Sequence, residues 1–237
     1  MVGARLIVSD FVLSFMWVWV GVLAKMFVVK VLGLGHDEPL GEVIKCSLSL
    51  VYMFLFAFLG KVTHGGAYNP LTVLSSAISG DFSQFLLTVG ARIPIQVLGS
   101  IYGVRLLIET FPEVGHGPRL NVNIHHGALT EGVLTFAIVF ISLGLARNIP
   151  GSFYMKTWIS SVSKLALHIL GSDLTGGCMN PAAVMGWAYA RGDHITKEHI
   201  LVYWLAPVEA TLLAVWTFKL VVRPLTEKKK DSKSKSE

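Results

Sequence analysis

The chain has 237 residues, of which 53% are hydrophobic and only 15% are charged, and its mean hydropathy is +0.61. This composition excludes an ordinary soluble domain, in which about a quarter of the residues are charged. The net charge of +5 does not indicate nucleic-acid binding, because much of it lies in the lysine-rich end of the chain, residues 225–237. Such a terminal run of charge is typical of a solvated cytosolic tail.

Six apolar stretches are candidate membrane spans. The first is too long for a cleavable signal and lacks a small-residue cleavage site, so we interpret it as the first span. The second and the fifth are short for the ~20 residues that a span needs, and we expect both to extend into their flanks. The six stretches lie near Phe11–Val31, Cys46–Gly60, Arg92–Ile108, Gly127–Ala146, Phe153–Leu170 and Ile200–Val222.

A seven-residue phrase occurs twice, as Gly65–Leu71 and again 111 positions later as Gly176–Ala182. Both copies read Gly-Gly-x-x-Asn-Pro, which indicates an internal duplication. Asn is a preferred N-cap and Pro suits the first helical position, so each phrase predicts a helix start. The small, apolar residues that follow, 71–79 and 182–190, extend for roughly 15 Å, about half of a bilayer core. The sequence therefore predicts two re-entrant half-helices, with starts at Asn69-Pro70-Leu71 and Asn180-Pro181-Ala182.

Two carboxylates also repeat. Asp10 lies at the start of the first predicted span and Glu131, 121 positions later, at the start of the fourth. A carboxylate within a span is costly and usually faces the protein interior. One interpretation is a proton relay. We favour a structural role, in which each acid accepts hydrogen bonds from the non-helical backbone that leads to a half-helix.

Other charged residues of the spans are less informative. Lys25, Arg92 and Lys219 lie close enough to a span end to extend towards the membrane surface. Lys164 and Glu209 lie deeper. Pairing with each other, neutralisation and a subunit contact all remain open for these two.

The predicted fold class is an all-α membrane protein with six spans, two half-helices and an inverted internal repeat. Three spans per half is an odd number, so the second half, about 120–224, is inverted relative to the first, about 1–115. The half-helices then enter from opposite faces, meet near the midplane at Asn69 and Asn180, and leave both termini on one side. That side carries ten positive residues against six on the other, which indicates that it is cytosolic.

This geometry has a functional consequence. Two helix N-termini and two Asn side chains at one point favour an oxygen acceptor and repel a cation. The arrangement predicts a pore for water or small neutral solutes. The alternative is that the duplicated turns only stabilise re-entrant loops. We find no nucleophile–base constellation and no metal-ligand spacing, and Cys46 and Cys178 indicate no disulfide framework, so we predict no enzyme activity, metal or cofactor.

The chain resembles the aquaporin family of major intrinsic proteins, and within it the second subgroup of plant small basic intrinsic proteins. The resemblance runs almost end to end, with Asn69-Pro70-Leu71 in place of the usual Asn-Pro-Ala and an intact Asn180-Pro181-Ala182. It includes the phrase Gln96-Val97-Leu98-Gly99, as well as His199 and Tyr203-Trp204-Leu205-Ala206-Pro207. The resemblance implies the hourglass fold of this family, assembled as a homotetramer in a lipid bilayer with one pore per subunit.

The resemblance also implies an outer selectivity filter at four positions, found by their offsets from the two Asn residues. These are Ser49, His168, Gly177 and Ala183. Typical water channels place an aromatic residue at the first position and an Arg at the last, so the pattern here predicts a wider filter that selects less by charge. We expect His168 to line the pore rather than to belong to the core.

The last five residues carry Lys233 and Lys235, three and five positions from the end. This pattern resembles the dilysine retrieval signal of endoplasmic-reticulum membrane proteins, and the resembled subgroup resides in that membrane. We therefore expect a multi-pass protein of the endoplasmic reticulum with both termini cytosolic. The alternative is a polybasic attraction to anionic lipid.

Three functional alternatives to a water channel remain. The first is a channel for a larger neutral solute such as glycerol, urea or peroxide. The second is a membrane scaffold with a vestigial pore, whose partners bind the tail or the loops. The third is a weakly selective ion pore, since the filter lacks its Arg. Leu71, in place of the family's usual Ala, leaves two further alternatives: a narrower pore near the midplane, or a tilted first half-helix.

Overall fold

The structure is a computed structural model that describes residues 2–35, 38–78, 80–147 and 151–222. Within these residues the chain forms six long helices, two short ones and no β-strand. The helices are α1 (Gly3–Val31), α2 (Pro39–Val62), α3 (Pro70–Ala77), α4 (Phe82–Thr110), α5 (Ile124–Arg147), α6 (Phe153–Gly171), α7 (Pro181–Arg191) and α8 (Lys197–Val222). The predicted lysine-rich tail, 225–237, lies outside the described residues, as does Ser79, where the first half-helix was expected to end.

The predicted all-α class, with six long helices and two half-helices, is confirmed. The second span extends into its flanks as expected, from Pro39 to Val62. The same expectation for the fifth is wrong, because α6 starts at Phe153 after the Ser152 cap and ends one residue past the predicted limit, at Gly171. The first begins earlier than predicted, so that Asp10 lies inside α1 and not at its start. Five of the long helices are apolar enough to cross a membrane by composition. The exception is α6, a helix of 19 residues that carries two lysines and a histidine.

Proline shapes two of the long helices at equivalent points. Pro94 in α4 and Pro207 in α8 are 113 positions apart. Each lacks a backbone donor, and its ring clashes with the carbonyl four residues earlier. In both helices a π-helical turn precedes the proline, Thr88–Arg92 in α4 and Leu201–Leu205 in α8. Such turns re-aim the side chains that they contain.

The helices pack as two similar halves that exchange their short helices. In the first half α1 packs along α4, in the second α5 packs along α8, and α2 packs against α6 between the halves. The short α7 packs against α4, and α3 contacts α8, so each half-helix reaches the other half. This exchange is the arrangement that an inverted repeat with re-entrant helices requires.

Small residues allow the closest of these contacts. A Cβ atom at Gly99 would overlap the backbone of Phe11, and one at Gly103 would meet Val18. These two glycines form a Gly-x-x-x-Gly pattern on α4, the spacing that lets two membrane helices approach closely. At Ser100 of α4, the carbonyl lies against Gly186 of α7. The half-helix is thereby held against the bundle by backbone proximity.

The outer faces of the long helices are apolar. Val51 on α2, Val133 on α5 and Trp216 on α8 expose 67%, 57% and 62% of their surface. Such a surface, together with five helices of spanning length, is that of a multi-pass membrane protein.

Candidate functional site

Both duplicated phrases form capped helix starts. The side chain of Asn69 accepts a hydrogen bond from the Leu71 N–H at 3.0 Å. The side chain of Asn180 accepts one from the Ala183 N–H at 3.4 Å. A proline follows each Asn at the first helical position. The local chemistry of the sequence therefore determines where α3 and α7 begin.

The two helix starts meet each other. The Asn69 amide donates to the carbonyl of Met179 at 2.7 Å, and the Asn180 amide donates to the carbonyl of Tyr68 at 3.3 Å. Each bond crosses from one phrase to the residue that precedes the Asn of the other. An amide nitrogen carries two hydrogens, so each Asn retains a second donor. The positive ends of two helix dipoles are thus brought to one place.

Glu131 on α5 holds the second re-entrant loop. Its side chain is 1% exposed. It accepts hydrogen bonds from the backbone N–H groups of Cys178 and Met179, both at 2.9 Å, and from the Thr175 hydroxyl at 2.6 Å. These contacts satisfy backbone N–H groups that have no partner within a helix. An unpaired N–H group is costly at membrane depth.

Asp10 on α1 makes the equivalent contact with the first loop, with the help of an arginine. It accepts from the Ala67 N–H at 2.7 Å and from two nitrogens of Arg92, at 2.7 and 2.9 Å. Arg92 also donates to the carbonyl of Gly65 at 2.7 Å. The expectation that Arg92 extends towards the membrane surface is wrong, because a fully buried carboxylate holds its guanidinium inside the bundle.

The second half has a counterpart of Arg92 that sequence reasoning missed. Tyr203 on α8 donates its hydroxyl proton to the carbonyl of Thr175 at 2.8 Å, in the loop before α7. Arg92 and Tyr203 are 111 positions apart, the same offset that separates Asn69 from Asn180. Both lie in the π-helical turns before proline. The prolines that follow are 113 positions apart, so Arg92 and Tyr203 occupy different places in their turns, and the sequence alone does not pair them.

Two cavities open beside these helix starts. The first, of about 420 Å³, is called the lower vestibule here, and the second, of about 670 Å³, the upper vestibule. Along α2 the lower vestibule is lined from Met53 to Gly60 and the upper one from Glu42 to Met53. Along α6 the lower one is lined from Lys156 to Lys164 and the upper one from Lys164 to Ile169. The two cavities therefore follow one another along the same pair of helices.

Three residues line both vestibules: Met53, Lys164 and Met179. We call this set the neck. Asn69 lines the lower vestibule and Asn180 the upper one. The paired helix starts thus lie at the junction of the two cavities.

The four expected filter residues all line the upper vestibule: Ser49, His168, Gly177 and Ala183. His168 Nδ1 lies 3.1 Å from the carbonyl of Gly177. Gly177 has a φ of +51° and its backbone faces that of His168 so closely that a Cβ atom would overlap it. Only glycine suits this position, on both grounds. Leu71 lines the lower vestibule, while Pro70, Pro181 and Ala182 are buried in the packing of the half-helices.

The polar residues of α6 explain its weaker hydropathy. Every fourth residue from Lys156 lines a vestibule, namely Lys156, Ser160, Lys164 and His168, and so does Ser172 directly after the helix end. Residues four apart share one face of a helix. This stripe was the sequence signal that places Lys164 in a polar cavity. Glu209, by contrast, is exposed on α8 and forms no ion pair within the described residues.

No group of three or more His, Cys, Asp or Glu side chains in the described ranges could hold a metal ion.

Comparison with known proteins gives a consistent result. A sequence model of the family described as major intrinsic protein matches residues 2–218. The chain is 63% identical to the probable aquaporin SIP2-1 of Arabidopsis thaliana over 232 residues, 98% of each chain. It is 52% identical to aquaporin SIP2-1 of Zea mays over 221 residues, which cover 92% of this chain and 88% of the relative. The solved aquaglyceroporin from Plasmodium falciparum shares the fold, with a TM-score of 0.72 at 19% identity over 95% of this chain and 99% of that one.

Proposed function

Because this chain belongs to the aquaporin family of major intrinsic proteins, and within it to the second subgroup of small basic intrinsic proteins, we propose that it is a passive channel for water and small neutral solutes whose pore passes through both vestibules. The supporting observation is the meeting of the two Asn-capped helix starts at the junction of the vestibules. The proposal involves no catalytic step and no cofactor.

The midplane of this pore consists of Asn69-Pro70-Leu71 and Asn180-Pro181-Ala182. Each Asn has one amide hydrogen bonded to the opposite loop, which orients the second hydrogen without consuming it. A passing oxygen atom accepts from these donors, and the two helix dipoles oppose a cation. The large side chain of Leu71 reduces the room in the lower vestibule beside Asn69.

Ser49, His168, Gly177 and Ala183 form the outer filter in this proposal. None is aromatic in the manner of Phe or Trp, and none is an arginine, so the filter offers one imidazole and small groups around an open space. We propose that it admits solutes larger than water, such as glycerol, as well as water itself.

We assign Asp10 and Glu131 a structural role rather than a proton relay. Every oxygen of both carboxylates is engaged with loop backbone, Thr175 or Arg92. Neither acid lines a vestibule. A proton relay would need at least one oxygen in contact with the water of the pore.

The proposed setting is the membrane of the endoplasmic reticulum, in a homotetramer with one pore per subunit and both termini cytosolic. The second half of α1, from Trp17 to Lys25, lines the upper vestibule. The start of α1 therefore points towards the lower vestibule, which in this orientation opens to the cytosol. Lys233 and Lys235, which would carry the retrieval signal, lie outside the described residues.

The test is stopped-flow light scattering on proteoliposomes, with water and glycerol gradients measured in parallel. We expect the wild-type protein to pass at least one of the two faster than protein-free liposomes. Asn180→Trp should reduce that flux to the protein-free rate, because the bulky ring occupies the junction of the vestibules. Leu213→Trp, on the exposed face of α8, is the matched control and should keep wild-type flux.

Each outcome distinguishes the alternatives. Water flux above the Asn180→Trp variant establishes a water channel. Glycerol flux without fast water flux establishes a solute channel with a widened filter. Equal rates in the wild-type protein and in Asn180→Trp for both solutes contradict the proposal and favour a scaffold role.

A further inference from the structure

Lys164 lies where the two vestibules meet. It lies in the middle of α6 and, with Met53 and Met179, lines both cavities. Of these three neck residues it alone carries a charge. A solute that moves from one vestibule to the other passes its ammonium group.

Two aromatic rings hold this ammonium in place. Lys164 Nζ lies 4.5 Å from the centre of the Trp17 ring and 5.0 Å from that of Tyr68. It also donates to the Tyr68 hydroxyl at 3.2 Å. The two rings stack at 4.0 Å with an angle of 14° between their planes, so they form one rigid wall. Cation–π attraction of this kind orients a positive charge without neutralising it.

In the described part of the chain, no carboxylate compensates this charge. Lys164 takes part in no ion pair of the described residues. The two acids nearest the loops are already engaged, Asp10 with Arg92 and Glu131 with the backbone before α7. An uncompensated charge within a span is expensive and marks a functional position by default. Lys164 lines both vestibules, so water in the proposed pore would reach its ammonium group and lower this cost.

The outer filter carries no fixed positive charge at its last position, Ala183. Lys25 and Lys45 line the upper vestibule and Lys156 the lower one, but each lies away from the neck. We propose that Lys164 supplies the fixed positive charge at the neck of this pore, and that it makes the channel exclude monovalent metal cations while neutral hydrogen-bond acceptors pass. The inference rests on the proposed channel function, since it places the barrier on the path between the vestibules. Its mechanism is electrostatic: the ammonium adds to the two helix dipoles at the same depth, where screening by water is reduced.

The experiment compares potassium flux and neutral-solute flux in the same proteoliposomes. Lys164→Met keeps the length and apolar stem of the side chain and removes its charge. We expect potassium flux to rise by about tenfold or more over the wild-type protein, while water and glycerol flux stay at or above wild-type rates. Lys164→Arg keeps the charge and should remain closed to potassium.

Two controls tie the effect to the neck. Lys219 on α8 also lies in a span, but its ammonium donates to the Ile78 carbonyl and lines neither vestibule, so Lys219→Met should leave potassium flux unchanged. The double variant Lys164→Met with Asn180→Trp should lose the gained potassium flux, because the added ring blocks the shared path. Thermal unfolding in detergent shows that each variant is folded, and Lys164→Gln replaces Lys164→Met if the latter is not.

Potassium flux in a folded Lys164→Met variant that equals the wild-type rate overturns the inference. So does an equal rise in Lys219→Met, which would show a leak caused by any lost span lysine. A wrong channel proposal gives a different result. Neutral-solute flux in the wild-type protein would then match that of Asn180→Trp, whatever the potassium measurement gives.

Discussion

At the residue scale, Asp10 relies on Arg92 for contacts that Glu131 makes by itself in the second half. The shorter Asp reaches one loop N–H, that of Ala67, whereas the longer Glu131 reaches two, those of Cys178 and Met179. Arg92 makes up the difference, since it binds both Asp10 oxygens and donates to the loop carbonyl of Gly65. The pair Asp10–Arg92 thus serves as a bridge between α1, α4 and the loop before α3.

The bridge gives a prediction for stability. Arg92→Met leaves the fully buried carboxylate of Asp10 without its cationic partner. Removing one partner of a buried ion pair costs about 3–5 kcal/mol. We expect the free energy of unfolding in detergent, measured by chemical denaturation, to fall by that amount. Arg105→Met, at an exposed site on α4, is the control and should change it little. Equal stability of the two variants would show that the bridge contributes nothing.

At the element scale, α4 is the helix on which the first half and the second half-helix both rest. Its glycine-lined face accepts α1, and the carbonyl of Ser100 lies against Gly186 of α7. Its π-helical turn aims Arg92 at the loop before α3. A shift of α4 away from α1 would therefore disturb both helix starts of the pore.

The close approach of α1 and α4 makes Gly99 sensitive to a single methyl group. In Gly99→Ala the new Cβ overlaps the backbone of Phe11, which cannot rotate away as a side chain can. Overpacking of this kind costs about 1–3 kcal/mol, so we expect a lower midpoint of thermal unfolding and reduced solute flux. Gly144→Ala on α5 meets no atom within 4 Å and should be neutral or stabilising. If the two variants unfold at the same temperature, the prediction is wrong and α1 and α4 have room to separate.

At the scale of the whole molecule, the two vestibules differ in their thiols. Cys46 and Cys178, the two cysteines of the chain, both line the upper vestibule. The lower vestibule is lined instead by hydroxyl groups, among them those of Ser75, Ser142 and Ser160. A thiol reagent added to one side of a membrane can therefore test which vestibule opens to that side.

This difference predicts a sided labelling pattern in sealed microsomes. In the Cys178→Ser variant, Cys46 is the sole cysteine, and the proposed orientation directs it to the lumen. A membrane-impermeant maleimide should label it only after detergent opens the vesicles. A cysteine-free chain with Ser142→Cys should instead be labelled in intact vesicles, from the cytosolic face. Labelling of Cys46 in intact vesicles would reverse the proposed orientation.

The sequence by itself determined the elements whose causes are local. Each half-helix begins where an Asn cap is followed by a proline. Pro70 and Pro181 are accordingly the first residues of α3 and α7. The long helices followed from apolar length alone, because a span in lipid must satisfy its backbone internally. The duplication of these signals implied an internal repeat, three spans per half implied its inversion, and the resemblance implied four of the residues that line the upper vestibule.

Only the tertiary structure decided which side chains meet. The partner of Arg92 depends on the rotation of α1 and α4 about their axes, which the distant contacts of Gly99 and Gly103 determine. The place of Lys164 depends in the same way on which face of α6 turns to the cavities and on the aromatic wall that α1 and the first loop supply. Helical periodicity groups residues on a face, but the packing of the other helices determines what that face contacts.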